Sequence, residues 1–253
     1  MKKTVGLLYA LITIIIVLAS WEAFVRLGHI REQILPGPTV IARTLWSARI
    51  PLLRHSLVTL MRTSIGFTLG VVVGVVLGVV LVYWSWLNEA LQPLLTALYC
   101  LPKSVVVPIF LLWTGLGTTP AILTAISLAF FPILTNIIAG LLSIHSDFVD
   151  LLRLSGARKG QILWKVGIPN TLPYLFAAFK TAGPNALVGV IVSEMIAASN
   201  GLGYVIVFSG AVFNIPLMFA GIACLMLIGI TLYGVAAFFE KRYAHWAFRG
   251  ARV

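Results

Sequence analysis

The sequence predicts an all-α integral membrane protein of about six transmembrane helices. Three observations lead there: the composition, the number of long apolar runs, and the placement of charge between those runs. Of 253 residues, 60% are hydrophobic and only 10% charged, with a mean hydropathy of +1.04. Soluble domains are typically about 45–50% apolar and about 25% charged. An ordinary cytosolic enzyme, a disordered tail and a disulfide scaffold are thereby excluded. At roughly 20 apolar residues per crossing, with loops between, the length accommodates about five or six helices and leaves no room for a soluble catalytic domain.

The formal charge is +11, from 18 Lys and Arg against 7 Asp and Glu. In a soluble chain that balance would point to nucleic acid. Here the basic residues sit mainly between apolar runs, where they hold loops near anionic lipid headgroups, and no nucleic-acid partner is expected. Cys100 and Cys224 lie in apolar stretches and read as small hydrophobes.

Taken in order, Lys2 and Lys3 precede an apolar run from Val5 to Leu27, broken only by Glu22 and Arg26. Val17-Leu18-Ala19 resembles a small-residue cleavage site, but apolar segments continue throughout, which favours an uncleaved first helix. Residues 28–54 are more polar and carry Pro36, Pro38 and Pro51, with a short interfacial helix expected over Thr39 to Ser47. A second span, about 55–84, places Gly66, Gly70, Gly74 and Gly78 at every fourth residue. That spacing lays a stripe of small residues along one helix face, suited to a moving interface or to static packing within one subunit. A third span, about 92–113, contains Pro102 and Pro108, which remove backbone bonds and bend the axis. Residues 113–120 read as a turn, and a fourth span follows at about 119–142. Residues 143–180 are the longest hydrophilic connection, with Arg153, Arg158, Lys159, Lys165 and Lys180. A fifth span at about 181–198, a turn at Ser199–Gly203 and a sixth span at about 216–239 complete the chain.

Six spans put both termini and the 143–180 loop on one side. That side receives eleven basic residues and the other six, which favours cytoplasmic termini by the positive-inside rule.

Within the long loop, the apolar-periodic run Phe148, Leu151, Leu152 is broken at Ser155-Gly156, and a second short run (Ile162, Leu163, Val166) ends before Pro169. A helix–glycine–helix elbow at a membrane surface suits docking to a soluble partner: Gly156 lets a backbone approach, and the basic residues supply polar contacts. This stretch resembles the cytoplasmic loop of ABC importer permeases, whose pattern is Glu-Ala-Ala, three residues, Gly, nine residues, then aliphatic-x-aliphatic-Pro. Gly156 is followed here by nine residues and then Val166-x-Ile168-Pro169. The departure is Asp150-Leu151-Leu152, which keeps the acid but enlarges two small positions. Leu35-Pro36-Gly37-Pro38, Leu101-Pro102-Lys103, Pro108 to Gly117, Phe130-Phe131-Pro132 with Asn136, and Glu194 with Gly201-Leu202-Gly203 look like the nitrate/sulfonate/taurine type.

The resemblance implies a type I ABC importer permease-like fold, with an N-terminal helix and exit over 1–34 and a permease core over 35–253. It implies a coupling-helix loop that docks a cytoplasmic ATPase through Asp150, Arg153, Ser155, Gly156, Ala157, Arg158 and Lys159. It also implies a periplasmic solute-binding protein, a second permease copy (a homodimer) and a place in the cell inner membrane. The solute would be small, an anionic one of the sulfonate, nitrate or taurine kind included.

The chain has no phosphate loop of its own, so no enzyme activity and no cofactor are expected, with ATP bound by the partner. His29, His55, His145 and His245 are scattered, and no metal site is expected. Lys103 and Glu194 are charges within apolar spans, costly at about 2.5–3.5 kcal/mol each near mid-membrane. Each faces either the translocation path, where Lys103 would favour an anion, or an interface or partner group. Asn136 and Asn185 are weaker polar candidates, Asn136 for the path, with helix–helix hydrogen bonding as the alternative role of both. An energy-independent channel is the alternative function.

Overall fold

The structure, a computed structural model, describes residues 2–244, with side chains described for 8–102 and 105–244. The predictions concerning the Lys103 side chain and His245 therefore lie outside the described residues. Among the described residues the secondary structure is helical throughout. Five helices are long and apolar enough to cross a membrane, or six if one bent pair counts as a span.

The first helix, α1 (Lys2–Leu27), is apolar and exposes Leu8, Ile12, Ile15 and Ile16, as a lipid-facing helix does. Pro38 at its first turn fixes the start of α2 (Pro38–Ser47). Glu22 ties the two together: its carboxylate accepts from the Thr39 N–H at 3.0 Å and from the Thr39 hydroxyl at 2.7 Å.

The glycine stripe lies in α3 (Arg49–Tyr83), and all four glycines are buried. It faces α6 (Thr118–Leu142) inside the same chain: Gly66 lies on Ala125, Gly70 on Ala129, Gly74 on Ile133 and Gly78 on Ile137. A Cβ added at any of the four would meet the facing side chain at under 3 Å. The stripe therefore sets how closely these helices approach. Each partner is numbered 59 above its glycine, so α3 and α6 run parallel. Parallel neighbours require the intervening chain to return across the bundle. It does so through α4 (Ser85–Cys100) and α5 (Lys103–Thr114), bent by 99° at a short break. The predicted third span is thus two helices that begin earlier than expected, and the break falls at Leu101-Pro102, where Pro102 caps α5. Pro108 sits inside α5 and Pro93 inside α4.

Beyond α6 come α7 (Ser146–Leu154), α8 (Lys159–Ile162) and one π-helical turn, Leu163–Gly167. Pro169 has no N–H to continue the ladder, and the Ile168 N–H reaches back five residues to Leu163. The chain then enters α9 (Ile168–Ala197). This corrects the extent of the hydrophilic loop: the span predicted over 181–198 runs over Lys159–Ala197. Lys165 and Lys180 mask its apolar character, yet Lys180 is neutralised by two 2.8 Å bonds to Glu240.

Helix α9 packs antiparallel on α6, with Gly189 at Thr124 and Gly140 at Thr171. The core between them is built from small residues one turn apart: Ala121, Ala125 and Ala129 against Ala178, Ala182 and Ala186. A short apolar helix, α10 (Leu202–Ala211), and α11 (Ile215–Tyr243) follow. Trp21 of α1 meets Phe219 near the start of α11, with ring centroids 6.1 Å apart. The Leu27 end of α1 therefore lies at the end of the bundle opposite α7.

Candidate functional site

Three polar features interrupt this apolar bundle. The first is the elbow at α7–α8. Helix α7 ends in a Schellman motif: the Ala157 N–H donates to the Leu152 carbonyl at 3.0 Å, and the Gly156 N–H to Arg153 at 2.9 Å. Gly156 has φ +82°, a left-handed conformation that a side chain would strain, and open space surrounds it. The Ser155 hydroxyl donates to the Leu151 carbonyl, and Asp150 pairs with Arg153 at 3.2 Å, both side chains exposed. Ala157 is half-buried; Arg158 and Lys159 are exposed. The Arg158 N–H is capped by the Gln161 side chain at 2.8 Å, which starts α8. Lys159 donates to the Tyr83 carbonyl and lies over its ring, 4.8 Å from the centroid. The elbow is thus fastened to the end of α3, while Phe148, Leu151, Leu154 and Trp164 remain exposed.

The second feature is a cavity of about 830 Å³ among α4, α6 and α9. Asn88 and Gln92 lie one turn apart on α4, Asn136 projects from α6, and Asn185 from α9. Asn136 donates to the Pro132 carbonyl at 2.8 Å. Tyr99 and Phe131 pack edge to face at the cavity, 5.4 Å between centroids. The path candidate Asn136 therefore lies on this cavity.

The third feature is a buried knot at the end opposite the elbow. Glu194, 1% exposed, accepts from Arg62 at 2.9 Å, from the Thr59 hydroxyl at 2.8 Å and from the Gly203 N–H at 3.0 Å. Arg62, 2% exposed, also donates to the Asn200 backbone carbonyl at 3.0 Å, the Asn200 side chain at 2.6 Å and Thr118 at 3.1 Å. Gly201 completes it: at φ +104°, a Cβ there would collide with the Glu194 carboxylate. Its N–H donates to His55 at 3.0 Å. Glu194 is thus held by a basic group and a backbone amide and is absent from the cavity wall.

Sequence reasoning missed Arg62, counted above among loop charges, and the signal for it was available. Two lone opposite charges in separate apolar spans are candidates for each other. The i, i+4 amides Asn88 and Gln92 were likewise visible, but Asn88 lies outside the expected third span and Gln92 at its very start. Among the described residues no group of three or more His, Cys, Asp or Glu is placed to hold a metal ion.

Residues 70–245 match the family described as "binding-protein-dependent transport system inner membrane component". The chain belongs to that family. It is a permease, a multi-pass membrane transport subunit. The riboflavin transport system permease protein RibX of Chloroflexus aurantiacus is 38% identical over 237 residues, 93% of this chain and 88% of that protein. The formylaminopyrimidine transport permease protein ThiX of Halalkalibacterium halodurans is 30% identical over 247 residues, covering 97% and 98%. Among solved structures, a chain of the MetNI methionine ABC transporter in its inward-facing conformations superposes with a TM-score of 0.69 at 20% identity, covering 78% of this permease and 98% of that chain. The permease thus has the type I ABC importer fold, as its sequence predicts.

Proposed function

We propose that this permease is the membrane subunit of an ATP-driven importer, and that it forms the pathway for a small solute handed over by a separate binding protein. A cytoplasmic ATPase docks on the α7–α8 elbow, and hydrolysis takes place in that subunit. A second permease copy, the same chain in a homodimer, completes the pathway. The observation that carries this reading is the elbow: an exposed, basic, Schellman-capped corner clamped by Lys159 to α3. Load applied there reaches both α3 and α9 without passing through a flexible loop.

Charge supports a cytoplasmic elbow in the cell inner membrane, with both termini on that side. Lys180 and Arg62 sit in ion pairs that link two membrane-spanning helices, so each side loses one loop charge, leaving ten against five. An energy-independent channel is not favoured, because the family is one of binding-protein-dependent transport.

Gly156→Trp tests the reading. Full-length permease carrying it should insert and remain monodisperse, while ATP-dependent uptake and co-purification of the ATPase are lost. Undiminished uptake by Gly156→Trp, or full activity of the permease without any ATPase, would overturn the proposal.

A further inference from the structure

The elbow is a loop with two feet. Helix α6 enters it through Ser143, and the chain leaves it through the π turn and Asn170 of α9. The feet lie against each other. A Cβ on Gly140 would meet the Thr171 Cα at 3.1 Å, and one on Gly167 would meet the Leu141 side chain at 3.0 Å. Asn170 joins them: its side-chain amide donates to the Gly140 carbonyl at 3.0 Å and to the Ser143 hydroxyl oxygen at 2.9 Å. The Ser143 hydroxyl directs its own proton to the Gly140 carbonyl, also at 2.9 Å. Both targets are therefore acceptors, and chemistry alone orients the Asn170 amide with its nitrogen toward α6.

Gly140 lies in the last turn of α6, where carbonyls have no donor four residues on inside the helix. Ser143 already caps that carbonyl locally, so stopping α6 does not require Asn170. The second donor comes from 30 positions on, across the whole elbow. What it adds is a fixed separation between the end of α6 and the start of α9. The backbone supplies fewer bonds at this junction than an unbroken α-helix would. The π turn is one residue wider than an α turn, and Pro169 and Pro173 have no N–H to donate.

We infer that Asn170 is a positioning residue for energy coupling. It locks the two feet of the elbow together, so that load on α7 and α8 tilts α6 and α9 as one body instead of prising the loop open. The inference rests on the importer reading and deepens it, because it names the link that makes the elbow a lever.

The test uses full-length permease with its ATPase in lipid nanodiscs, with Cys100 and Cys224 replaced by Ser. Spin labels go on exposed positions: Leu154→Cys on the elbow with Val188→Cys on α9, and separately Leu94→Cys on α4 with Val188→Cys. Labelled permease is diluted with unlabelled copies, so that both labels of a complex sit on one chain. Pulsed electron resonance reads each distance with and without ATP and vanadate. With Asn170 present, the elbow–α9 distance should stay constant while the α4–α9 distance changes, because the elbow and α9 move together. In Asn170→Leu, which keeps the volume and removes the donors, the pattern should reverse: ATP with vanadate shifts the elbow–α9 distance by about 2 Å or more and leaves α4–α9 unchanged. Ser143→Ala removes one of the two bonds and should give a smaller shift of the same kind. Asn170→Gln, which restores an amide, should return the pattern seen with Asn170. Co-purification of the ATPase should be unchanged throughout, because Asn170 lies behind the exposed face of the elbow. A merely structural role would lower assembly and stability without this ATP-dependent exchange between the two distances.

An elbow–α9 distance in Asn170→Leu that ignores ATP, with the α4–α9 change preserved, overturns the role. Should Asn170→Leu fail to insert, Ser143→Ala decides the matter, and distances identical to those with Ser143 present overturn it. No associated ATPase, or no ATP-dependent change in either distance with Asn170 present, is a failure of the importer reading instead, detected before any variant at 143 or 170 is compared.

Discussion

Removing the Glu194 carboxylate is the sharpest test of what holds the end opposite the elbow. In Glu194→Ala, Arg62 keeps its three other acceptors, the two Asn200 oxygens and Thr118, but loses its only close counter-charge among the described residues. The Thr59 hydroxyl and the Gly203 N–H lose an acceptor at the same time. Breaking one side of a buried pair costs about 3–5 kcal/mol, and orphaned neutral groups add about 1–3 kcal/mol each before relaxation. These contributions overlap, because water admitted to the knot solvates all of them. We therefore expect a loss of about 4–5 kcal/mol, roughly a thousandfold in the unfolding constant. Replacing both partners by apolar residues, Arg62→Met with Glu194→Leu, removes the unpaired charge and should cost at least about 2 kcal/mol less than the sum of the single changes. Reversible SDS-induced unfolding in mixed micelles, followed by tryptophan fluorescence, measures Glu194→Ala and the four corners of the cycle: wild type, Arg62→Met, Glu194→Leu and the double variant. A loss under about 1 kcal/mol for Glu194→Ala, or simple additivity in the double variant, would refute the knot as a charge-paired unit.

The remaining expectations address the other contacts. Gly70→Leu should cost at least about 3 kcal/mol or prevent folding, because the facing Ala129 leaves no room for a Cβ, and size-exclusion profiles will register it as aggregation. Lys180→Met strands the Glu240 carboxylate, 8% exposed, and should lower stability by about 2–3 kcal/mol in the same unfolding assay, with Glu240→Leu restoring part of it. Gly156→Ala should cost only about 1 kcal/mol, felt locally. Amide exchange at Ser155–Ala157 should accelerate, and the global unfolding midpoint should fall by no more than about 1 kcal/mol implies.

Much of this architecture was legible in the sequence because a membrane span writes its length and apolar character directly into the chain. The stripe Gly66, Gly70, Gly74, Gly78 announced a close helix contact, but periodicity names a face and not its partner. Only the constant offset to Ala125, Ala129, Ile133 and Ile137 shows that the partner is in the same chain and parallel. The alanine columns of α6 and α9 carry the same information more quietly, since alanine is common in helices for reasons of propensity alone. The lower half of α9 was hidden because hydropathy counts Lys180 at full charge, and its neutralisation by Glu240 depends on a residue 60 positions away. The first half of the elbow was legible to the residue, because a Schellman end is a local event; the second run, expected to end before Pro169, instead continues through the π turn into α9. The cavity was not legible. Its amides come from three helices, and α4 was not expected to begin before residue 92.

Helix α9 is where the three features meet. It starts at the π turn beside the elbow, carries Asn185 on the cavity wall, and places Glu194 in the knot near its far end. Its 30 residues span about 45 Å, enough to connect both faces of a bilayer in one rigid rod. Gly189 and Gly140 lock that rod against α6 at two depths, and α6 is in turn locked to α3 through four glycine contacts. A lever of this kind pivots as a body more readily than it flexes, because close-packed small-residue contacts leave no compliant side chains between the backbones. Under the proposed function, displacement of the elbow therefore tilts α3, α6 and α9 together. One place for relative motion is α4, which has no fully buried residue, with its 99° break to α5. Asn88 and Gln92 ride on α4 while Asn136 and Asn185 ride on the rigid block, so tilting changes the distance between the two sets of amides. The same movement that alternates access would then open and close the cavity. Cross-linking Gln92→Cys to Asn185→Cys with a bifunctional thiol reagent that spans the cavity, with Cys100 and Cys224 replaced by Ser, should halt transport with ATPase docking intact. Continued uptake by the cross-linked protein would show that the cavity walls do not move apart.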